Sequence, residues 1–201
     1  LECHLYDENS WPSGFAGGHV LSRNPHLVAR ALTGAWMENS RDPFGGDFVR
    51  WIDPPQPGVR PGFALVVRPA PAKGNWGGFP YVDLLREETT RLFLHATHAE
   101  YARRFSGAFG RTIKYAFADE PEIFSGGGLA YSEHVRGAFV RRCGYDLADH
   151  LEALCLGGEE AGPARFDYQR TLHALFVQAY LKPCHDWCEA HGLAFTGHFM
   201  E

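Results

Sequence analysis

Three short apolar runs in this chain each end in acidic residues, and this recurrence constrains the fold more than any other feature. The runs and their acids are Leu5–Tyr6 before Asp7 and Glu8, Tyr115–Ala118 before Asp119 and Glu120, and Leu193–His198 before Glu201. Helix-like sequence precedes the second run and separates it from the third. Strands that alternate with helices form parallel sheets, and functional residues collect at the carboxyl ends of such strands. The sequence therefore predicts an α/β fold with a carboxylate-rich cleft.

The bulk composition is typical of a soluble globular domain with one sizeable core. The chain has 201 residues, of which 45% are hydrophobic and 21% charged, and its formal net charge is −5. Because it carries no basic block and no long apolar run, neither nucleic acid nor membrane is an expected partner. Aromatic residues make up 14% of the chain, which is high. Buried rings are the default explanation, but flat rings also bind sugars.

Glycine and proline are concentrated in residues 38–80, between two stretches of strand and helix. Within this range Phe63–Val67 is expected to be a strand. So long a stretch with little helix predicts an insertion or a small β-subdomain over the site.

Five helical stretches are predicted from apolar periodicity and capping residues. They extend from Asn24 or Pro25 to about Trp36, over residues 83–105, from Ser132 to about Cys143, from Asp146 to about Cys155, and over residues 165–191. Pro183 is expected to kink or split the last of these. The five cysteines are odd in number and show no zinc spacing, so reduced thiols are expected.

The chain is short for a complete eight-fold barrel, which takes about 250 residues. The first residue is Leu1 and the last is Glu201, itself an acid of the third run. We therefore expect residues 1–201 to be a fragment of one catalytic domain, a partial (β/α)8 TIM-type barrel with a Pro/Gly-rich insertion. An export signal would then lie upstream, which leaves secreted, periplasmic and cytoplasmic locations open.

Asp119-Glu120-Pro121 is the strongest local signal for chemistry. A glutamate that closes a strand faces the cleft, and Pro121 takes the chain out of the sheet at once. Glu120 is therefore expected to be a general acid, provided that its neighbours raise its pKa. An exposed loop acid or a helix-capping pair is the alternative.

The other two acidic clusters have two interpretations each. Asp7 and Glu8, with Trp11, are suited to hydrogen-bonding sugar hydroxyls or binding a cation, and equally to a structural network. Gly197 allows close approach of a ligand or backbone. His198 is suited to binding substrate, moving a proton or ligating metal, although strand-end histidines are more often simply hydrogen-bonded.

Metal-ligand types also recur near the strand ends, at His4, Asp7, Glu8, Asp119, His198 and Glu201. No compact zinc signature such as His-Glu-x-x-His is present. An oxygen-ligated Ca²⁺ is therefore more plausible than zinc, and a metal-dependent hydrolase of another substrate stays open as an alternative.

Several motifs occur along this chain in the same order as in a known group of proteins. They are Tyr6–Gly18, Tyr81–Leu85, Thr97-His98, Phe117–Pro121, Gly144–Leu147, Phe166–Tyr168 and Thr196-Gly197-His198 with Glu201. This order resembles that of large bacterial glycoside hydrolases related to the α-L-rhamnosidases of family 106, nearly end to end. The resemblance implies a (β/α)8 barrel, of which this chain holds about half the strands, and cleavage of a glycoside or oligosaccharide. It leaves Ca²⁺ open as a cofactor.

By position, the resemblance implies that Glu120 is the acid at a strand end and Glu201 a second cleft carboxylate. Together with the local patterns, it gives the expected catalytic residues as Glu120 and Glu201. The expected substrate-binding residues are Asp7, Glu8, Trp11, Asp119 and His198. In such an enzyme one carboxylate protonates the leaving oxygen while the other activates water or attacks carbon, and the resemblance favours inversion.

The proteins of this family carry further barrel strands and accessory β domains, which we expect as partners of this chain. Loss of activity in the isolated chain is therefore one of the expected outcomes. A non-catalytic carbohydrate-binding or structural barrel piece is the alternative function.

Overall fold

The computed structural model of the chain describes residues 2–6, 11–37, 46–53, 62–73, 77–123, 126–158 and 161–199. The strands in these residues are β1 Cys3–Tyr6, β2 Arg30–Met37, β3 Asp47–Ile52, β4 Gly62–Pro69, β5 Ile113–Asp119, β6 Leu129–Ala130 and β7 Ala194–His198. The α-helices are α1 His19–Arg23, α2 Glu87–Ala96, α3 His98–Phe105, α4 Glu133–Cys143, α5 Leu151–Leu156, α6 Ala161–Phe176 and α7 Lys182–Ala190.

The chain divides into two compact units. The first comprises residues 1–29, 71–123 and 174–201, and the second comprises residues 30–70 and 124–173. The predicted mixture of strands and helices is confirmed, with a parallel sheet in the first unit and an antiparallel sheet in the second. The described residues show no closed barrel, so the partial barrel stays a prediction.

The parallel sheet of the first unit contains β1, β5 and β7, with β5 in the middle. Tyr6 is in register with Phe117, and Asp119 is in register with His198. Because the three strands run in one direction, the residues that end them lie at the same edge of the sheet.

One face of this sheet is buried against helices of the same unit. Its core cluster contains Leu5, Ile113, Ala116 and Leu193, together with Cys188 of α7. The burial alternates along β5 as the two-residue period of a strand requires. All five cysteines lie in the described part of the chain, and all five are free thiols, as predicted.

The second unit is built on an antiparallel sheet of order β3-β4-β2-β6. The strand predicted over Phe63–Val67 is confirmed as β4, and those five residues are buried. β3 and β4 lie within residues 38–80, and their sheet also takes β2 and β6 from outside that range.

The helix predicted from Asn24 to about Trp36 is wrong. The Asn24 side chain does accept a hydrogen bond from the His26 backbone N–H, but it caps only a short 3-10 turn, Pro25–Leu27. The following residues form β2, because β4 pairs with one side of it and β6 with the other. Strand pairing has overridden a genuine helix-start signal.

The predicted limits of α4 are confirmed at both ends. The Ser132 hydroxyl accepts a hydrogen bond from the Val135 N–H at 3.3 Å, and Gly144 closes the helix at φ +81°. The stretch 83–105 forms two helices, α2 and α3, that meet at Thr97. The stretch 165–191 forms α6 and α7, joined by the π-helical segment Val177–Leu181 directly before Pro183.

The long helical stretch thus continues past Pro183 through one wide turn. A proline in a helix lacks the N–H for the regular ladder and crowds the preceding turn, and π-helical segments relieve such conflicts. In the described ranges, no helix is long and apolar enough to cross a membrane.

Candidate functional site

The candidate site is the edge of the parallel sheet at which its strands end. Tyr6 ends β1, Asp119 ends β5 and His198 ends β7. The parallel register described above makes these side chains neighbours on the same face of the sheet.

Asp119 joins the three strand ends through its side chain. Its Oδ2 accepts a hydrogen bond from the Tyr6 hydroxyl at 2.6 Å, and its Oδ1 lies 3.1 Å from His198 Nδ1. The Asp119 side chain is 22% exposed and that of His198 is 58% exposed. The Asp119 carboxylate is therefore largely shielded from solvent, whereas the His198 imidazole is largely exposed to it.

The backbone of Asp119 is held by the loop that follows β1. Its N–H donates to Ser13 Oγ at 2.8 Å, and its carbonyl accepts from the Ser13 N–H at 2.9 Å. Ser13 is buried and follows the cis Trp11-Pro12 peptide bond. Trp11, two residues before Ser13, is 41% exposed. The glycine-rich loop predicted as part of the site thus fixes the end of β5.

Glu120 has an unusual backbone conformation at the point where β5 ends. Its φ is +45°, in the left-handed region that residues with a Cβ rarely occupy. Its N–H donates to the His198 carbonyl at 3.0 Å, so β7 holds it in place. Backbone strain of this kind persists where surrounding contacts impose it, and it clusters at functional sites.

Glu122 is a site residue that the sequence interpretation missed. Although the residue is exposed, desolvation of its carboxyl group raises its pKa, Lys73 opposes this shift, and Glu120 raises the pKa further. The Glu122 N–H donates to the Tyr81 hydroxyl at 3.2 Å, and that hydroxyl donates to the Ser13 carbonyl at 2.8 Å. A second acid directly beyond Glu120-Pro121 was the available signal.

Aromatic rings cover the face of the sheet from which these side chains project. The Tyr6 and Phe117 rings stack with centroids 5.6 Å apart, and the His198 ring meets Phe117 edge-on at 5.3 Å. Tyr6 is 46% exposed. Parallel sheets are normally covered on both faces, so this exposed aromatic face is a notable departure. It offers flat apolar surfaces beside hydrogen-bonding groups.

Three of the predicted site residues, Asp7, Glu8 and Glu201, lie outside the described residues. Their roles stay predictions, as do the roles of the predicted residues that are described. The structure brings Asp119, Glu120 and His198 together at one edge of the sheet.

A bound Ca²⁺ stays a prediction, because Asp7, Glu8 and Glu201, three of its expected oxygen ligands, lie outside the described residues. Within the described ranges, the group of histidines and acids close enough to share an ion is His185, Asp186 and Glu189, all exposed.

No protein-family model matches the chain, and no curated protein matches it. Among solved structures, the chain is similar to a rhamnosidase from Novosphingobium sp. PP1Y, with 22% sequence identity and a TM-score of 0.50. The similarity covers 74% of this chain and 15% of that rhamnosidase. At this identity the likeness supports a glycoside hydrolase-like fold. The chain spans only a small part of the length of that enzyme.

Proposed function

We propose that this chain contributes part of the catalytic barrel of a glycoside hydrolase, with an α-L-rhamnosidase-like activity. The observation that carries the proposal is the strand-end group, in which Asp119 binds Tyr6 and His198 and the next residue is Glu120. Carboxylates and aromatic surfaces together at the carboxyl edge of a parallel sheet are suited to binding a sugar and protonating its leaving group.

In this proposal Glu120 protonates the oxygen of the departing alcohol. The second carboxylate, which activates water or attacks carbon, is proposed to be Glu201, with Asp7 and Glu8 in the substrate pocket. The wider carboxyl separation of inverting enzymes, about 6.5–9.5 Å, is proposed for the catalytic pair. Glu122 is the competing candidate for the acid, because burial of its carboxyl group raises its pKa and a raised pKa favours the protonated form from which a general acid donates.

Asp119 and His198 are proposed to position the substrate. An ionised carboxylate only accepts hydrogen bonds, so the proton between these residues belongs to His198 Nδ1. That leaves the Nε2 lone pair to accept a hydrogen bond from a sugar hydroxyl. Trp11 and Tyr6 are proposed to pack against the sugar rings, for which their exposure suits them.

Further strands are proposed to complete the sheet from outside these 201 residues. Two observations support this. Within the described residues the sheet has only three strands, β1, β5 and β7, and its aromatic face is left exposed at Tyr6. In the complete protein those strands would cover the sheet edges and form the rest of the pocket.

The test of the proposed acid is kinetic and uses the complete protein that contains this chain. Glu120→Gln should lower turnover by about 10²–10⁴-fold on glycosides with poor leaving groups, and much less on activated aryl glycosides that need no protonation. Glu122→Gln is the competing variant, and Glu189→Gln, an exposed acid on α7, is the control. If Glu120→Gln hydrolyses both substrates at the parent rate, Glu120 is not the acid.

A further inference from the structure

A second candidate site lies entirely within the second unit, between its antiparallel sheet and the start of α4. It is a cavity of about 580 Å³, a volume typical of sites for small molecules. Its walls include apolar side chains such as Val67 and Leu151 and a set of charged and hydroxyl groups. None of the strand-end residues proposed for hydrolysis contributes to it.

A β-bulge shapes one wall of this cavity. β3 pairs Asp47 with Val67 and Phe48 with Val66, but Arg50 then pairs with Leu65, so Val49 is an extra residue. In a regular strand, residues three apart project from opposite faces. The bulge instead turns Arg50 to the same face as Asp47, and bulges of this kind re-aim side chains beside functional sites.

The charged groups at and beside the cavity balance, three arginines against Asp47, Glu133 and Asp146, but one arginine has no side-chain partner among the described residues. Arg30 pairs with Asp47. Arg136 binds both oxygens of Asp146, at 2.9 and 2.7 Å. Within the part of the chain that the structure describes, the Arg50 side chain has neither an ion pair nor a hydrogen bond. Its guanidinium is therefore available to an anion from outside the protein.

Tyr131 supplies a second polar side chain at this cavity. The residue is 6% exposed, and its hydroxyl makes no hydrogen bond to any residue that the structure describes. Burial raises the pKa of Tyr131, Glu133 raises it further, and Arg136 and Arg50 lower it. Tyr131 lines the cavity together with these three charged residues, so its hydroxyl can donate a hydrogen bond there.

Hydrogen-bond donors thus converge on a cavity that is lined by both apolar and charged groups. The Ser132 hydroxyl accepts from Val135 and keeps its own proton to donate, and α4 adds the positive end of its dipole. Phe48, which is 48% exposed, supplies an aromatic surface in the same cavity.

We propose that this cavity binds the carboxylate of an acidic sugar such as a hexuronate, with Arg50 as the cation, Tyr131 as a second donor and Phe48 packing against the ring. Arginine and a carboxylate match as a planar, two-point pair. The acids Asp47 and Glu133 repel excess negative charge, so a monoanion fits the cavity better than a phosphate dianion.

The inference does not depend on the proposed hydrolysis, because its residues all belong to the second unit and its readout is binding. Calorimetric titration of the whole chain compares glucuronate with glucose, which lacks the charge, and with glucose 6-phosphate, which carries a dianion. Glucuronate should bind at least about tenfold more tightly than glucose or glucose 6-phosphate, since one good polar interaction changes the affinity about tenfold.

The variants assign that difference to the cavity. Arg50→Gln should weaken glucuronate binding at least about tenfold, whereas Arg142→Gln, which removes an equal charge from an exposed position on α4, should leave it unchanged. Tyr131→Phe should weaken it several-fold, and Arg50→Lys, which keeps the charge without the fork, should retain part of the affinity. Circular dichroism verifies that each variant is folded.

Three outcomes would overturn the inference. They are equal affinities for glucuronate and glucose, tighter binding of glucose 6-phosphate, and equal effects of Arg50→Gln and Arg142→Gln. If Arg50→Gln does not fold, Arg50→Lys and Tyr131→Phe decide, because unchanged glucuronate affinity in both would also overturn it. None of these results bears on Glu120, so the two proposals fail separately.

Discussion

Asp119 at the end of β5 and His198 at the end of β7 share a hydrogen bond, with 3.1 Å between Asp119 Oδ1 and His198 Nδ1. Since the ionised carboxylate can only accept, the bond selects the imidazole tautomer that carries its proton on Nδ1. The other carboxylate oxygen accepts from Tyr6. A single half-buried acid thus determines which histidine nitrogen is free to meet a ligand.

Removing that acid should change the tautomer of His198. In Asp119→Ala the Nδ1–H loses its acceptor, so we expect the neutral ring to shift towards the Nε2–H form. Long-range ¹H–¹⁵N NMR at alkaline pH measures the two nitrogens separately. Tyr6→Phe is the matched control, because it removes the other bond of Asp119 and should leave the Nδ1–H form in place. An identical tautomer in Asp119→Ala and the parent protein would contradict the assignment.

The left-handed backbone of Glu120 predicts a conflict between stability and function. Glycine adopts a positive φ without strain, whereas a residue with a Cβ loses about 1–2 kcal/mol there. Glu120→Gly should therefore be more stable than Glu120→Ala by about 1 kcal/mol, measured by urea unfolding. Both variants lack the carboxylate, so both should lose the proposed activity. Equal stability of the two variants would show that the backbone conformation carries no strain.

The elements that could be predicted from the sequence are those whose signals are local. α4 was predicted at both ends because Ser132 and Gly144 act on the backbone within one turn of themselves. β5 was predicted because an apolar run ends at an acid and a proline. In both cases the residues that determine the element lie inside it or directly beside it.

The elements that could not be predicted depend on distant parts of the chain. β2 is a strand because β4 and β6 pair with it, and neither partner is visible in the residues of β2. Glu122 was missed because the groups that act on it include Lys73 and Tyr81 from another segment. For the same reason, the neighbours of Asp119 could be anticipated only through the parallel order of the strands.

Buried His98 predicts that the protein loses stability in weak acid. Burial, and then the charge of His191, lower its pKa from the usual 6.5 to about 4. Between these values the unfolded chain binds a proton that the folded chain excludes, so stability falls as pH decreases from about 6.5 to 4. At 1.36 kcal/mol per pKa unit the loss is on the order of 3 kcal/mol over that window.

Urea unfolding as a function of pH measures this effect. His98→Gln should reduce the dependence of the free energy of unfolding on pH between 6.5 and 4, whatever its stability at neutral pH. His173→Gln, which removes an exposed histidine of α6, should keep the full dependence. An unchanged dependence in His98→Gln would show that other groups cause the acid sensitivity.

Gly197 should be intolerant of any side chain because the backbone of the neighbouring strand approaches it. A Cβ at this position would lie 2.0 Å from the Ala118 carbonyl oxygen, which cannot move without breaking the β5–β7 pairing. Gly197→Ala should therefore destabilise the protein by about 2–3 kcal/mol, within the range of overpacking effects. It should also displace His198 and the end of β5.

Gly162→Ala is the matched control, because it adds the same methyl group in α6 at a site with no atom within 4 Å. This variant should be neutral or stabilised by up to about 1 kcal/mol, since alanine favours helix over glycine. Thermal and urea unfolding give the stabilities, and the NMR signals of His198 report the strand end. If Gly197→Ala is as stable as Gly162→Ala, β5 and β7 are not in the close contact on which the strand-end site depends.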